Sequence, residues 1–301
     1  MCNMKTWKKI SGIALALLLL FFVIHFYFLT HEDKSENVSS PQLQQALYSG
    51  YTGYAFVTPN TTLRFNVLWA GQNAGPGFSL HVEGIPKGIN WSVEAVDVSC
   101  PDQLREMSCR DISLMLNPTA PGNYSLSQVT ISVKTNAGTV SAKLGEVRLE
   151  VVGKAFENLT HVYYPYAGAY VDGNITPGSD FMYYVVLKNT GTDNLSITGV
   201  HIDDQAFRIL GLYYQDIPPE VPPQLLDVPN MSKALEFPKD GLIIRPNETI
   251  AVIVPFRAKV QARYALVIPK LTVVDSTGKM HNVPGIPYYI MGASESEKGR
   301  K

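Results

Sequence analysis

The sequence has few cysteines and few charged residues, and neither sign of charge is in excess. Three of its 301 residues are Cys, 17% are Asp, Glu, Lys or Arg, and the formal net charge is −1. Proteins that bind nucleic acids through their phosphates usually carry a basic excess. We therefore expect no nucleic-acid partner.

The sequence also lacks the short motifs that mark common active sites. It contains no Gly-x-Ser-x-Gly elbow, no His-Glu-x-x-His pair, no phosphate-binding loop and no dinucleotide fingerprint. Its six His are scattered along the chain. We predict a protein that is not an enzyme and has no cofactor. Active sites can be assembled from residues far apart in sequence, so an enzyme stays an alternative.

No metal site is predicted either. The segment "HID", which begins at His201, is interpreted as a solvated turn. The segment "VDGN" (171–174) and Asp180 offer the oxygen ligands that Ca²⁺ prefers, but a plain turn is the simpler interpretation. A copper site of the cupredoxin type would need His and Cys ligands in close spacing. The two cysteines available for it are better explained as a disulfide.

One long apolar run is present, from Ile10 to Leu29, between a lysine-rich segment and an acidic one. In a helix that rises ~1.5 Å per residue, such a run spans the ~30 Å hydrocarbon core of a membrane. It predicts a signal anchor at 10–30, with residues 1–9 in the cytoplasm and the rest outside. A cleaved signal peptide is the alternative, but the run is long for one, and no Ala-x-Ala-like site precedes His31.

Cys100 and Cys109 are separated by eight residues. In an exported domain such a pair usually forms a disulfide, which stabilises the fold by roughly 2.5–3 kcal/mol through loop entropy. A metal site would need further ligands, and none lie at suitable spacing nearby. The third cysteine, Cys2, has no partner on the outside.

The N-glycosylation pattern Asn-x-Ser/Thr is strongly enriched. It occurs at nine of 16 Asn, although the content of Ser and Thr would place about two there by chance. Turn chemistry rich in Asn, Ser and Thr explains part of the excess. We predict a heavily glycosylated surface protein. The nine acceptors are Asn37, Asn60, Asn90, Asn123, Asn158, Asn174, Asn194, Asn230 and Asn247.

Beyond the apolar run, the pattern is that of β-strands. "TTLRFNVLW" and "FMYYVVLKN" alternate apolar and polar residues, and Pro with Gly or Asn precedes several such stretches. The order of turn, strand, loop and terminal hairpin occurs twice. We predict an all-β chain with two immunoglobulin-like β-sandwich domains after the one transmembrane helix. The predicted segments are a polar stalk at 31–46, the sandwiches at 47–153 and 157–292, and a disordered tail at 293–301.

Two longer stretches resemble a known family. "ITPGSDFMYYVVLKNTGTDNLSITGV" (175–200) and "GLIIRPNETIAVIVPF" (241–256) resemble adhesion-related, CARDB-like immunoglobulin-like modules, which are common in archaeal and bacterial surface proteins. "SLHVEGIPKGINWSV" with "TAPGNYSLSQVTISV" is similar to a related module attached to exported glycoside hydrolases and surface-layer-type proteins. The resemblance implies a spacer, adhesin or assembly domain, and the acceptor sites favour an archaeal surface.

Tyrosine clusters and a proline-rich loop at 217–229 are the candidate partner-binding features, because Tyr offers contact area together with a hydroxyl. Strand-embedded Tyr at a domain junction and a plain surface insertion are the alternatives. The candidate residues are Tyr163, Tyr164, Tyr166, Tyr213, Tyr214, Pro218, Pro219, Pro222, Pro223, Tyr288 and Tyr289.

Together these features predict a non-catalytic, membrane-anchored extracellular glycoprotein that acts as a surface scaffold, adhesion or protein-interaction module. Its expected partners are the membrane, through the N-terminal helix, and a protein of the envelope or of a membrane complex. An accessory subunit of a larger membrane or surface-filament complex is the first alternative. A carbohydrate-binding surface module, with glycans as ligands, is the second.

Overall fold

A computed structural model describes most of the chain after residue 44. The predicted anchor at 10–30, its cytoplasmic flank and nearly all of the predicted stalk and tail lie outside the described residues. No helix in the described part is long and apolar enough to cross a membrane. The described ranges are 45–72, 77–101, 104–162, 167–202, 205–218 and 231–293.

These residues form 23 β-strands and a 3-10 turn at Met231–Lys233, with no α-helix among them, which confirms the all-β prediction. The first ten strands are β1 (Gln45–Tyr48), β2 (Tyr51–Val57), β3 (Leu63–Gly71), β4 (Ser79–Glu83), β5 (Ile89–Val98), β6 (Ser108–Pro118), β7 (Gly122–Ser125), β8 (Thr130–Thr135), β9 (Gly138–Lys143) and β10 (Gly145–Val151). The other thirteen are β11 (Leu159–His161), β12 (Ala167–Asp172), β13 (Asp180–Asn189), β14 (Leu195–His201), β15 (Phe207–Ile209), β16 (Tyr213–Asp216), β17 (Leu235–Glu236), β18 (Leu242–Ile244), β19 (Thr249–Ala258), β20 (Tyr264–Ile268), β21 (Lys270–Val274), β22 (Met280–Pro284) and β23 (Tyr288–Ala293).

The alternating sequences of β3 and β13 put every second side chain into a core. Successive residues of a strand point to opposite faces of its sheet, so a two-residue apolar period gives one buried face. The side chains predicted to share a face are buried in both strands, which confirms the interpretation. They are Leu63, Phe65, Val67 and Trp69 in β3, and Phe181, Tyr183, Val185 and Leu187 in β13.

The first half of the described chain, from β1 to β10 (residues 45–151), encloses one core between its sheets. The second half runs from β11 to β23 (residues 159–293). A four-stranded sheet, β1-β3-β6-β5, packs through Phe65 and Leu114 against β2 and β10, which belong to a larger sheet. The three-stranded sheet β4-β8-β9 adds Ile131 to the same core. The half is therefore a β-sandwich whose core consists mainly of aliphatic side chains.

The second half encloses a separate core. The sheet β11-β13-β19-β16-β17 contributes Phe181 and Phe256, and the sheet β18-β14-β21-β22 contributes Val273. Tyr183 lies fully buried there, and its hydroxyl accepts a hydrogen bond from the backbone N–H of Ile286 at 2.8 Å. That bond satisfies a polar atom that would otherwise be costly to bury.

One sheet runs through both halves. Its strand order is β12-β23-β20-β2-β10-β7, so strands of the second half continue directly into strands of the first. β2 lies in the middle and pairs in parallel with β20 and with β10. All seven residues of β2 are buried, as is usual for a strand in a parallel sheet that is covered on both faces.

β20 contributes side chains to both cores. Ala265 and Val267 belong to the core of the second half, whereas Leu266 and Ile268 belong to the core of the first. All four are at most 1% exposed. Because alternate residues of a strand point to opposite faces, this single strand serves as a wall of each core.

The contact between β2 and β20 depends on a glycine. Gly53 is paired with Leu266 and has a φ of +152°. A Cβ atom at Gly53 would overlap the carbonyl oxygen of Leu266. That oxygen belongs to the backbone of a buried strand, so the overlap is relieved only if the two strands separate. The sheet therefore needs glycine at this position.

We predict that Gly53→Ala lowers the free energy of unfolding by roughly 2–3 kcal/mol, because overpacking against backbone forces a shift of the strands. Gly199→Ala is the matched control, since a Cβ at Gly199 in β14 meets nothing within 4 Å. Urea titrations followed by tryptophan fluorescence measure both variants. Equal stability of the two would show that the β2–β20 contact tolerates a side chain.

Candidate functional site

A small polar network joins the two halves on the face of the shared sheet that lies away from the first core. Glu150, in β10, accepts a hydrogen bond from the hydroxyl of Tyr54 at 2.7 Å. It also pairs with Lys270 of the second half, whose Nζ lies 3.0 and 3.2 Å from the two carboxylate oxygens. These two contacts tie β2 and β10 to β21.

The charge of Glu150 is stabilised by this network. Burial disfavours the ionised carboxylate, but the hydrogen bonds from Tyr54 and Lys270, with the positive charge of Lys270, outweigh it. The pKa of Glu150 is consequently held below its ordinary value. The side chains of Glu150 and Lys270 are only 31% and 21% exposed, so water screens the pair incompletely.

A cleft of about 440 Å³ opens beside the network. His201, at the end of β14, packs its ring edge-on against Tyr54 with 5.4 Å between the centroids. Arg148 of β10 donates a hydrogen bond to Gln205 of the second half. The first half supplies most of the wall and the second half closes it with His201. The cleft is lined by Tyr54, Asn123, Tyr124, Ser125, Arg148, Leu149, Glu150 and His201.

The connector between the halves consists of residues 152–158. A second cleft, of about 540 Å³, lies where this connector meets the β21–β22 hairpin. Phe156 of the connector stacks on His281, with the ring centroids 4.2 Å apart. His281 in turn contacts Asp275 at 2.7 Å, and Asp275 also accepts hydrogen bonds from Thr277 and from the backbone N–H of Lys279. The bond from Thr277 is the largest of the effects that lower the pKa of Asp275.

Among the described residues, no group of three His, Cys, Asp or Glu side chains is arranged to hold a metal ion. Both clefts are polar and open. Residues of the two halves line the first, and residues of the connector and of the second half line the second.

The predicted disulfide is confirmed. Cys100 and Cys109 are bonded, with their Cα atoms 5.2 Å apart. Val98, the last residue of β5, is paired with Cys109 of β6, so the bond closes the connection directly after the final strand pair. It fixes the end of a long hairpin at the edge of the four-stranded sheet.

The structure places every described glycosylation acceptor at the surface. Two predicted acceptors, Asn37 and Asn230, lie outside the described residues. Asn189, in contrast, is fully buried and donates two hydrogen bonds to backbone carbonyls, and it is not part of an acceptor sequence. The exposed acceptors are Asn60, Asn90, Asn123, Asn158, Asn174, Asn194 and Asn247.

The predicted partner-binding residues that the structure describes lie in different surroundings. Tyr213 and Tyr214 are half-buried in β16, where they pair with β17 and β19, and Pro218 is exposed. Tyr288 is 5% exposed and packs in the second core, where burial raises the pKa of its hydroxyl to about 12. The other candidates lie outside the described residues, except for Tyr289; they are Tyr163, Tyr164, Tyr166, Pro219, Pro222 and Pro223.

Tyr289 has a structural position that the sequence did not indicate. β1 pairs with β3 only from Leu68 onward, which leaves the start of β3 without a strand on that side. The hydroxyl of Tyr51 accepts from the N–H of Asn66 at 2.8 Å and donates to its carbonyl at 3.1 Å. The hydroxyl of Tyr289 accepts from the N–H of Arg64 at 3.4 Å. Two tyrosines thus satisfy the open edge of β3.

An exposed apolar row, which sequence reasoning also missed, crosses the outer face of the sheet β18-β14-β21-β22. Ile243, Ser196, Val274 and Met280 are paired in register across the four strands. Ile243 is 60% exposed and Met280 is 65% exposed. The alternation of each strand indicates the outward face, but only the register brings these residues of different strands together.

Comparisons with known proteins assign no family, and the solved structures that match are only weakly similar. No protein-family profile matches the sequence, and no curated protein matches it significantly. The collagen adhesin of S. aureus is a structural neighbour at 6% identity and a TM-score of 0.24, covering 82% of this chain and 91% of that one. The C-terminal domain of the Streptococcus pyogenes antigen I/II-family protein AspA is another, at 10% identity and a TM-score of 0.24, covering 82% and 99%.

A fragment of titin matches at 7% identity and a TM-score of 0.21, covering 82% of this chain and 98% of that one. Similarity at this level assigns neither a family nor an activity. The description of the molecule as an all-β protein with sandwich-type layers therefore rests on its own sheets and cores.

We predict that Lys270→Met destabilises the fold by roughly 1.5–3 kcal/mol at neutral pH, because it leaves Glu150 partly buried without its cationic partner. The pKa of Glu150 is lower in the folded protein than in the unfolded chain. The ion pair therefore stabilises the fold fully at pH values above the unfolded-state pKa of about 4.3, and this stabilisation is lost as the pH falls through the folded-state pKa. Urea unfolding at neutral and acidic pH tests this. Lys143→Met, on exposed β9, is the control, and an equal loss in both variants would contradict the prediction.

Asp275→Asn is expected to flatten the acid dependence of the melting temperature. The folded-state pKa of Asp275 is lowered, so its contribution is complete above the unfolded pKa of about 3.9 and disappears as the pH falls through the folded value. Thermal melts of the variant and the parent in buffers from neutral to strongly acidic pH measure the difference. The control variant Asp240→Asn, at an exposed position, should show the same dependence of melting temperature on pH as the parent. If Asp275→Asn also showed the parent's dependence, the stabilising role given to the Asp275 carboxylate would be refuted.

Proposed function

We propose that the chain is a non-catalytic, membrane-anchored extracellular glycoprotein that holds or bridges other components just outside the cell membrane. The apolar run at 10–30 would be its anchor, and the residues that follow would form its external part. In this proposal the two halves act as immunoglobulin-like, CARDB-like modules, with boundaries near 47–153 and 157–292, on an archaeal type of cell surface.

The exposure of the acceptor asparagines carries the proposal. All seven that lie in the described residues are exposed, whereas the one fully buried Asn among those residues is not an acceptor. Glycans are bulky and hydrophilic, and they require surface positions in an exported protein. The disulfide between Cys100 and Cys109 also supports an oxidising compartment outside the cytoplasm.

The joint between the halves supports a scaffold. A sheet that continues through both halves, with a partly buried ion pair beside it, resists relative motion better than a flexible linker would. A rigid body of this kind holds an attached component at a defined distance and orientation. Catalysis is not needed for such work.

An accessory subunit of a larger membrane or filament complex is the second candidate, and the exposed apolar row favours it. Ile243 and Met280 are exposed at the two ends of this row, and Ser196 and Val274 lie half-buried between them. Exposed apolar surface of this kind is common where one protein contacts another. Crosslinking on intact cells, followed by mass spectrometry, would separate a specific membrane complex from general contacts with the envelope.

Mapping of intact glycopeptides from the native host tests the glycoprotein proposal. We expect sugar on most of the seven exposed acceptors and none on Asn282, which is also exposed but is followed by Val and Pro. Free Cys100 and Cys109 should be absent from unreduced material. An unmodified protein with reactive thiols at both positions would overturn the extracellular assignment.

A further inference from the structure

We propose that the glycan on Asn123 lies in the cleft between the two halves and stabilises their contact. The inference rests on the proposed function, because it requires that the chain is glycosylated. It concerns one acceptor among the seven that are exposed.

The strand register places Asn123 on the face of the shared sheet that lies away from the first core. Asn123, in β7, is directly opposite Glu150 in β10, and Ser125 is opposite Arg148. Directly opposed residues of an antiparallel pair project from the same face, with their Cβ atoms about 5 Å apart. Asn123 therefore shares its face with Glu150, which binds Lys270 of the second half.

The acceptor also stands at the opening of the cleft. Asn123 is exposed, and it lines the cleft that His201 closes from the second half. β7 is the outermost strand of the six-stranded sheet. The first sugar is thus held at the wall of the cleft, while the following sugars can pass beyond the sheet edge into solvent.

Asn90 provides the contrast. It too lies on an outermost strand, β5, and it is exposed. Its opposite residue is Asn117 of β6, one position beyond Leu116, which is buried in the first core. Asn90 therefore projects from the outer face of the four-stranded sheet. A glycan there points away from both cores.

The chemistry of the cleft suits a sugar. Its wall combines the carboxylate of Glu150, the guanidinium of Arg148 and the imidazole of His201, which together offer hydrogen-bond donors and acceptors to hydroxyl groups. Its volume of about 440 Å³ falls in the range of small-molecule sites, roughly 300–1,000 Å³. The ligand class is a hexose or an N-acetylhexosamine.

Attachment needs an activated sugar phosphate as co-reactant, supplied by the glycosylation pathway of the host. The amide nitrogen of Asn123 forms a bond to the anomeric carbon. The bond between that carbon and the phosphate oxygen breaks, its electron pair leaves with the phosphate, and one amide proton passes to a base of the transferase. No oxidant or reductant is involved. Once attached, the sugar contacts the cleft only when the protein is folded. These contacts therefore stabilise the folded state.

The experiment compares full-length chains from the glycosylating host. Ser125→Ala removes the acceptor sequence at Asn123 but leaves the asparagine, and Ser125→Thr retains the acceptor. We expect Ser125→Ala to melt roughly 2–4 °C below Ser125→Thr. Asn90→Gln, which removes the glycan from the open face, should melt with the parent. Equal melting of Ser125→Ala and Ser125→Thr, with sugar present on Asn123 in the latter, would overturn the inference.

A second measurement follows removal of the glycans by a glycosidase under native conditions. Release from Asn123 should be several-fold slower than release from Asn90, and His201→Ala should accelerate it at Asn123 only. Equal rates at the two sites would refute burial in the cleft. Absence of sugar from all the acceptors would instead refute the glycoprotein proposal. Sugar on the other acceptors but not on Asn123 would overturn this inference alone.

Discussion

The parallel pairing of β2 with β20 is the contact on which the rest of the molecule depends. The paired residues are more than 200 positions apart in the chain, yet they run in register from Tyr51 and Tyr264 to Ala55 and Ile268. Through this pairing the sheet of one half becomes the sheet of the other. If β20 were absent, each core would lose one wall, because its alternate side chains fill both. Long-range pairing of this kind carries a large loop-closure cost and forms slowly.

The polar groups around this pairing are arranged to avoid the cost of burial. Glu150 is desolvated by the approach of the second half, and the hydroxyl of Tyr54 and the ammonium of Lys270 compensate for that loss. At the open start of β3, hydroxyls of Tyr51 and Tyr289 take the place of a missing strand. The halves therefore meet through aliphatic and aromatic contacts in the centre and through hydrogen bonds at the margin.

Local features of the fold were predictable from sequence because their causes are local. Alternation in β3 and β13 indicates which side chains are buried, and the spacing of Cys100 and Cys109 indicates a disulfide. The shared sheet has no comparable signal. "YTGYAFV" and "YALVI" are apolar on both faces, which fits a central strand, but nothing in either stretch names its partner. An interpretation as two tandem units contains no strand that serves both.

The candidate site, too, was predictable from sequence only in its local features. The sequence marks Asn123 as an acceptor, but only the pairing of β7 with β10 shows which face of which sheet the asparagine occupies. The sequence predicts the tyrosines as contact residues because each combines contact area with a hydroxyl. Tyr288 instead fills a core and Tyr289 completes a strand edge, since a phenol ring suits either place as well as an interface.

The in-register β2–β20 pair also has a mechanical meaning. β2 lies near the beginning of the described chain, and β20 belongs to its second half. A load that draws β2 along its own axis acts across the hydrogen bonds of this pair together, in shear, rather than opening them one after another from an end. Tension applied along these strands is therefore resisted at the place where the two halves are joined.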